Sequence, residues 1–386
     1  MEKNHKCKDP FFSRHYLDIY GSRISSPDEQ NRNGNRNKKP VVIFLTGGAW
    51  IIGYRMWGTL LGRALAPFGI LVIAPDYRNF PQVNIEGMVQ DIDLSIQWVF
   101  DHVEDYGGDK EKVVLVGQSA GAHIGGVVVA MKVLDWLRTE RRKMETSAKC
   151  KEQEVDDVQN ESRVQMSPLK STYSVQQLCG FISTSSPHNL VTMRPVFHHL
   201  GLNASLQRRI FGGLGDDQDN SLVQNEYVFE KWSPYHLVMK SHMEYVNLSE
   251  LSGKVCSGVD EFKDIFPRCC VIHGTLDKTV PVSEAIAFIS LLKKLNIHTV
   301  LKMYEGWSHT DPILEAPMRG NHSYHRDIYE LTCLWTERKE KREGIGEHER
   351  IPMRSRHLTL FDERHPMLQP ICPSVLVEAA RFCNPF

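Results

Sequence analysis

The chain has 386 residues, 41% of them hydrophobic and 24% charged, with a formal net charge of -1 and a pI near 7.0. That length can bury a large core as one big α/β domain or two smaller ones. A near-zero charge supplies no overall field to draw the protein to nucleic acid, so none is expected as a partner. The nine cysteines are odd in number and lack metal-type C-x-x-C spacing, so they read as reduced thiols of a cytosolic-type compartment. No metal or cofactor is expected, because the nucleophile, base and oxyanion donors read below are all protein groups. "MEKNHKCKDPFFSRHYLDIYG" has no apolar h-region, and nowhere do eighteen apolar residues run together, so neither a signal peptide nor a spanning helix is expected.

In chain order, residues 1–39 read as an N-terminal segment, partly disordered, closing on the polar, Asn-rich loop "SRISSPDEQNRNGNRNKK". "VVIFLT" (41–46) is a continuous β-branched run ending in Gly-Gly, the pattern of a strand buried on both faces. A short helix follows, then a second buried strand, "ILVIAP" (70–75). Met88, Ile92, Ile96, Val99 and Val103 form a helical stripe that Gly107 and Gly108 end. "VVLVG" (113–117) is a third strand, and 120–137 a helix rich in Gly and Ala. Charged, aperiodic residues 138–174 read as a disordered insertion. Strands resume at "LCGFIST" (178–184), "RCCVIH" (268–273) and "TVLKMY" (299–304), with a helix between the last two. Alternation of strand and helix implies a mostly parallel central sheet flanked by helices. Residues 186–265, helical but irregular between two strands, are placed for an inserted cap.

"GQSAG" (117–121) follows a predicted strand and opens a predicted helix, the context of a G-x-S-x-G nucleophile elbow. A sharp strand-to-helix turn brings neighbouring backbone so close that the flanking positions cannot carry a large side chain, and it leaves the Ser119 hydroxyl exposed at a helix N-terminus. A serine nucleophile needs a base and an orienting carboxylate, here in the order Ser, Asp, His. "VIHGTLDKTVP" presents Asp277 and "LKMYEGWSHTDP" presents His309, both at carboxyl ends of strands. His273 competes for the base but reads as a satisfied core histidine. Asp311 and Glu305 compete for the acid but lie too close to His309 in sequence. Oxyanion donors are expected from the backbone N–H of Ala120 and from Gly47, Gly48 and Ala49 in "FLTGGAW".

With those residues placed, the sequence resembles the α/β-hydrolase fold and, more narrowly, the prenylcysteine methylesterases best known from plants. The resemblance runs through "LDIY", "TGGAWIIGY", "APDYRNFPQ", "DYGGD", "GQSAGAHI", "WSP", "VIHGTLDKTVP", "YEGWSHTD", "PMRG" and the terminal "NPF". Thr46 stands where many relatives have His. It implies a catalytic domain over 40–386 that hydrolyses the methyl ester of a C-terminal S-prenylcysteine to methanol and a carboxylate. Ser119, Asp277 and His309 would be its triad, Gly47 to Ala49 and Ala120 would surround the oxyanion, and Gln118 would line the same wall. Implied partners are prenylated, carboxymethylated proteins or small prenylcysteine methyl esters. Plant members carry hydrophobic segments ahead of this domain, and the 138–174 insertion is longer than their pattern.

Competing readings are an arylformamidase or general carboxylesterase of the same fold, and a non-catalytic binding protein, which would normally lack a triad member. A prenyl chain keeps substrates in membranes. The expected location is therefore cytoplasmic, in peripheral contact with the endoplasmic reticulum or Golgi, through an apolar lip on the cap at 195–202 and 210–214.

Overall fold

A computed structural model describes residues 5–6, 14–22, 38–149, 167–212, 222–252, 262–342, 361, 365–372 and 377. Among them one eight-stranded sheet forms the frame: β1 (His5–Lys6), β2 (Tyr16–Tyr20), β3 (Lys39–Leu45), β4 (Leu71–Pro75), β5 (Gly108–Gln118), β6 (Leu178–Thr184), β7 (Arg268–Gly274) and β8 (Thr299–Tyr304). Their order is β1-β2-β4-β3-β5-β6-β7-β8. The β1/β2 and β2/β4 pairs are antiparallel and every later pair is parallel. This is the mostly parallel sheet expected. The N-terminal segment, read as lying outside the domain, instead adds two strands to the sheet: Leu17 and Ile19 of β2 are buried facing Pro75 and Ile73 of β4.

The helices are α1 (Thr59–Leu65), α2 (Ile85–His102), α3 (Ala120–Lys149), α4 (Leu190–His199), α5 (Ala204–Phe211), α6 (Leu222–Lys231), α7 (Pro234–Ser252), α8 (Phe262–Ile265), α9 (Val282–Lys294), α10 (Glu315–Met318) and α11 (Ser323–Arg342). Alternate strand residues divide the core. Val41, Ile43, Leu45, Val113 and Leu115 join the apolar stripes of α2, α3 and α9 on one face. On the other, Val42, Phe44, Val114 and Val116 meet α1 and α11. Gly180 shows how tightly α11 lies: a Cβ there would sit 2.0 Å from the Trp335 ring.

Helix α3 is long and apolar enough to cross a membrane over its first 27 residues, but its apolar stretch is 89% buried within the fold. Its length corrects the reading of 138–174. The helix continues to Lys149 through residues that are charged on every side but are strong helix formers. Residues 167–174 are pinned to α2 and α3. The Ser171 N–H and hydroxyl donate to buried Asp93, Lys132 donates to the Ser171 carbonyl at 2.9 Å, and Gln97 accepts from the Thr172 and Tyr173 N–H groups. The rest of the expected insertion, 150–166, lies outside the described residues.

Helices α4 to α8 fall between β6 and β7, inside the stretch expected to be a cap. Within the apolar lip expected there, Phe197, Ile210 and Phe211 are buried, Phe197 and Phe211 against Trp50 and Phe211 also against Phe229, whereas Pro195 is exposed. Residues 213–214 lie outside the described residues. Large apolar side chains are exposed instead on loops that follow strands, at Ile52 and Leu276 (58% each) and Leu314 (45%).

Candidate active site

Strand β3 pairs with β4 on one side and β5 on the other, so the chain reverses its direction of winding between β3 and β5. At such a reversal the loops leaving the two strands part, opening a crevice at their carboxyl ends. The Gly47 loop and Ser119 leave the sheet there.

Ser119 sits between β5 and α3 with φ +52°, a left-handed backbone that a side-chain-bearing residue adopts only where its surroundings force it. The surroundings are crowded backbone. A Cβ on Gly117 would lie 2.5 Å from the Ala122 Cα, and one on Gly121 would lie 2.3 Å from the Leu45 carbonyl oxygen. The Ser119 N–H donates to the Thr184 carbonyl at 2.8 Å, which fixes the turn to β6. Ser119 keeps only 9% of its surface exposed.

Three residues singled out in the sequence meet here. The Ser119 hydroxyl donates to His309 Nε2 at 2.8 Å, and His309 Nδ1 donates to Asp277 Oδ2 at 2.8 Å. Asp277 Oδ1 accepts the Thr279 and Val280 N–H groups at 2.9 and 2.8 Å. Burial pushes the Asp277 carboxyl upward, but the His309 contacts, the Val280 N–H and nearby His273 outweigh it and hold it below the usual carboxylate range. The competing acids are engaged elsewhere or exposed. Asp311 accepts from Arg319 and from the Ser308 N–H, both at 2.7 Å, so it shapes the turn that carries His309; Glu305 is exposed.

The loop expected to supply oxyanion donors follows β3. Gly48 has φ +128°, and Ala49 and Trp50 follow at +49° and +63°, so three successive residues lie in backbone that disfavours side chains. No hydrogen bond to a described residue takes up the N–H groups of Gly48, Ala49 or Ala120. Contacts from distant parts hold the loop in shape: Tyr77 donates to the Thr46 carbonyl at 2.9 Å, and Asn79 and Arg14 both donate to the Gly53 carbonyl. Gln118, expected to line the same wall, lies against the Gly47 loop. It is buried, and its amide donates to the His309 carbonyl at 3.3 Å, with its oxygen where a Gly47 side chain would be.

His123, which sequence reasoning passed over in "GQSAGAH", braces this loop. Trp50 Nε1 donates to His123 Nδ1 at 3.3 Å, so His123 carries its proton on Nε2 and donates it to the Trp232 carbonyl at 2.8 Å. Burial pushes the imidazole down to about 4, keeping it neutral. Trp50 also meets Phe197 and Phe211 edge to face at 5.4 and 5.0 Å, which joins the loop to α4 and α5. Among the described residues no group of three or more His, Cys, Asp or Glu is arranged to hold a metal.

Comparison with known proteins agrees with this architecture. Plant isoprenylcysteine alpha-carbonyl methylesterases are similar. A probable one from Oryza sativa is 36% identical over 73% of this chain and 53% of its own length. One from Arabidopsis thaliana is 30% identical over 92% and 65%. The chain thus spans between about half and two thirds of the length of these relatives. Solved esterase structures share the fold at low identity. Esterase B from Lactobacillus rhamnosis, inhibited by a tributyrin phosphonate, matches with TM-score 0.58 at 16% identity over 89% of this chain and 88% of that one. A truncated carbohydrate esterase from gut microbiota matches with TM-score 0.52 at 16% identity over 84% and 92%. The prolyl oligopeptidase family model matches residues 222–340. The BD-FAE model matches residues 28–242, more than half of the chain and including both the Gly47 loop and Ser119, and the chain, with its α/β-hydrolase fold, belongs to that family.

Proposed function

We propose that the protein is a carboxylic ester hydrolase and that its substrate is the methyl ester of a prenylcysteine. The observation that carries the reading is the hydrogen-bonded series Ser119–His309–Asp277 at the carboxyl edge of the sheet. The names of the plant relatives support the choice of ester. His309 Nε2 takes the hydroxyl proton as Ser119 Oγ bonds to the ester carbon, and the carbonyl electron pair moves onto oxygen. N–H groups of Ala120, Gly48 and Ala49 stabilise that oxyanion. The pair returns, the carbon–methoxy bond breaks, and His309 gives its proton to the leaving oxygen, releasing methanol. Water, deprotonated by the same imidazole, then attacks the acyl-serine; the proton returns to Ser119 and the carboxylate leaves. Asp277 stays ionised throughout and stabilises the imidazolium.

The substrate's prenyl chain makes peripheral contact with the cytosolic face of the endoplasmic reticulum or Golgi part of this proposal. Exposed Ile52, Leu276 and Leu314 would supply the apolar contact. Turnover of a prenylcysteine methyl ester, N-formylkynurenine and a short p-nitrophenyl ester, with Ser119→Ala as control, tests the proposal. Preference for the prenylcysteine ester by a large factor in kcat/KM is expected. Preference for N-formylkynurenine would replace it with an arylformamidase, and indifference among esters with a general carboxylesterase. Failure of a serine-directed fluorophosphonate to label the protein would point to a binding protein.

A further inference from the structure

His273, at the end of β7, is fully buried, and it stands beside the acid of the triad rather than apart from it. Its Nε2 lies 2.8 Å from the Val280 carbonyl and 3.4 Å from Asp277 Oδ2. Both neighbours are acceptors, so Nε2 carries the proton and Nδ1 the lone pair. Nδ1 has no hydrogen-bond partner among the described residues. The N–H end is the part that faces the site. By holding the Val280 carbonyl, His273 fixes the turn whose own N–H, at Val280, donates to Asp277 Oδ1. The positive end of its N–H also faces the oxygen that accepts from His309.

We propose that His273 is a positioning residue of the triad, a neutral second imidazole that orients Asp277 and lowers the proton affinity of the Asp277–His309 pair. The proposal rests on Ser119, His309 and Asp277 acting as a triad, and not on which ester is cleaved. Among the described residues, the other charged or titratable groups on the packed elements are engaged or exposed. Asp311 is paired with Arg319, Lys278 is exposed, Glu284 is held by Asn189 and Thr192, and buried His188, stacked on Phe288, is driven far toward its neutral form by burial. Burial likewise lowers the proton affinity of His273 itself, which favours the neutral imidazole that its two acceptor neighbours require.

The sign follows from charge. Removing a positive N–H end from beside Asp277 Oδ2 makes the carboxylate a stronger partner for protonated His309, so His309 holds its proton to higher pH. For His273→Leu the acid limb of the pH profile should move up by roughly half a unit to one unit. His273→Gln, whose amide nitrogen reaches the place of Nε2, should restore most of the wild-type profile. The rate at which a fluorophosphonate inactivates the protein, followed against pH, reads this whatever the native ester is. An unshifted limb in His273→Leu, or an equal shift in both variants, would overturn the proposal. A measurement on the unaltered protein covers a variant that does not fold: histidine 15N spectra should show His273 as the neutral Nε2–H tautomer across the pH range in which the inactivation rate changes. A proton on Nδ1 would overturn it equally. A wild-type chain that labels normally yet ignores prenylcysteine esters would sink the substrate assignment and leave this one standing.

Discussion

Two strand ends meet at the candidate site, and they are held in shape by different physics. The corner at Ser119 is fixed by its own backbone: Gly117 and Gly121 leave no room for a methyl group, and φ at Ser119 is positive. The loop at Gly47 to Gly53 bends as sharply, yet its shape comes from elsewhere. Arg14, Tyr77 and Asn79 hold its carbonyls, and His123, Phe197 and Phe211 enclose Trp50. Local crowding makes a rigid corner that five residues can specify. Distributed contacts make a loop whose geometry depends on the β-sheet edge and the inserted helices staying in place. Nucleophile and oxyanion donors should therefore fail in separable ways.

The largest effect expected is at the corner itself. Ser119→Ala or His309→Ala should each cost about four orders of magnitude or more in kcat, and the double variant should be little worse, since neither residue acts without the other. Near-additive losses in steady-state kinetics would break the idea of one unit. Next comes Trp50→Ala, which empties a buried indole site and should destabilise by about 3–5 kcal/mol in urea titration. It should also lower kcat by roughly 10²-fold through misplaced oxyanion donors. The downfield proton resonance of the His309–Asp277 hydrogen bond should persist in this variant. Its disappearance would show that the loop and the corner are not separable after all.

That difference also explains what could be read in advance. The elbow, the order Ser, Asp, His and the parallel strands are carried by a few adjacent residues each, so Val113 to Gly121 announces a strand, a turn and a helix without help. Strand β2 was invisible because Tyr16–Tyr20 is short and finds its partner, β4, more than fifty residues away. The continuation of α3 to Lys149 was hidden by a charged composition that removes the apolar stripe while keeping helical propensity. His273 reads as core in any strand pattern; only the fold shows that the same nitrogen reaches both Val280 and Asp277. The contact of the Gln118 amide with the His309 carbonyl is hidden for a related reason, since the two residues stand 191 positions apart.

A smaller effect is expected from Gly117→Ala, which sharpens the comparison from the other side. The added methyl would meet the Ala122 backbone at 2.5 Å, and backbone cannot swing aside as a side chain can. Destabilisation of about 2–3 kcal/mol is expected from overpacking. Here the His309–Asp277 resonance should shift or broaden while tryptophan fluorescence from Trp50 keeps its wild-type maximum. An unchanged resonance with full activity would mean that the corner tolerates what its geometry forbids.

The smallest expected effect is one of pH, and it acts through the loop. His123 is neutral in the folded protein, pushed down to about 4 by burial, whereas an exposed histidine protonates near 6.5. Above about 6.5 neither state binds the proton and stability does not depend on it. As pH falls from about 6.5 toward 4 the unfolded chain takes up a proton that the folded protein refuses, so stability is lost. At pH 5 that loss should be about 2 kcal/mol, from roughly 1.5 units of pH at 1.36 kcal/mol each. His325, pushed to about 3 by burial, adds a loss of the same sign, while Asp76, raised to about 6 by burial, acts in the opposite sense. Both are present in wild type and in His123→Gln, so they cancel in the difference between the two. Urea titrations at pH 7 and pH 5 should show the variant losing about 2 kcal/mol less than wild type over that interval. Equal losses would mean that His123 is charged in the folded protein, and then its Nδ1 could not accept from Trp50 as the geometry of the loop requires.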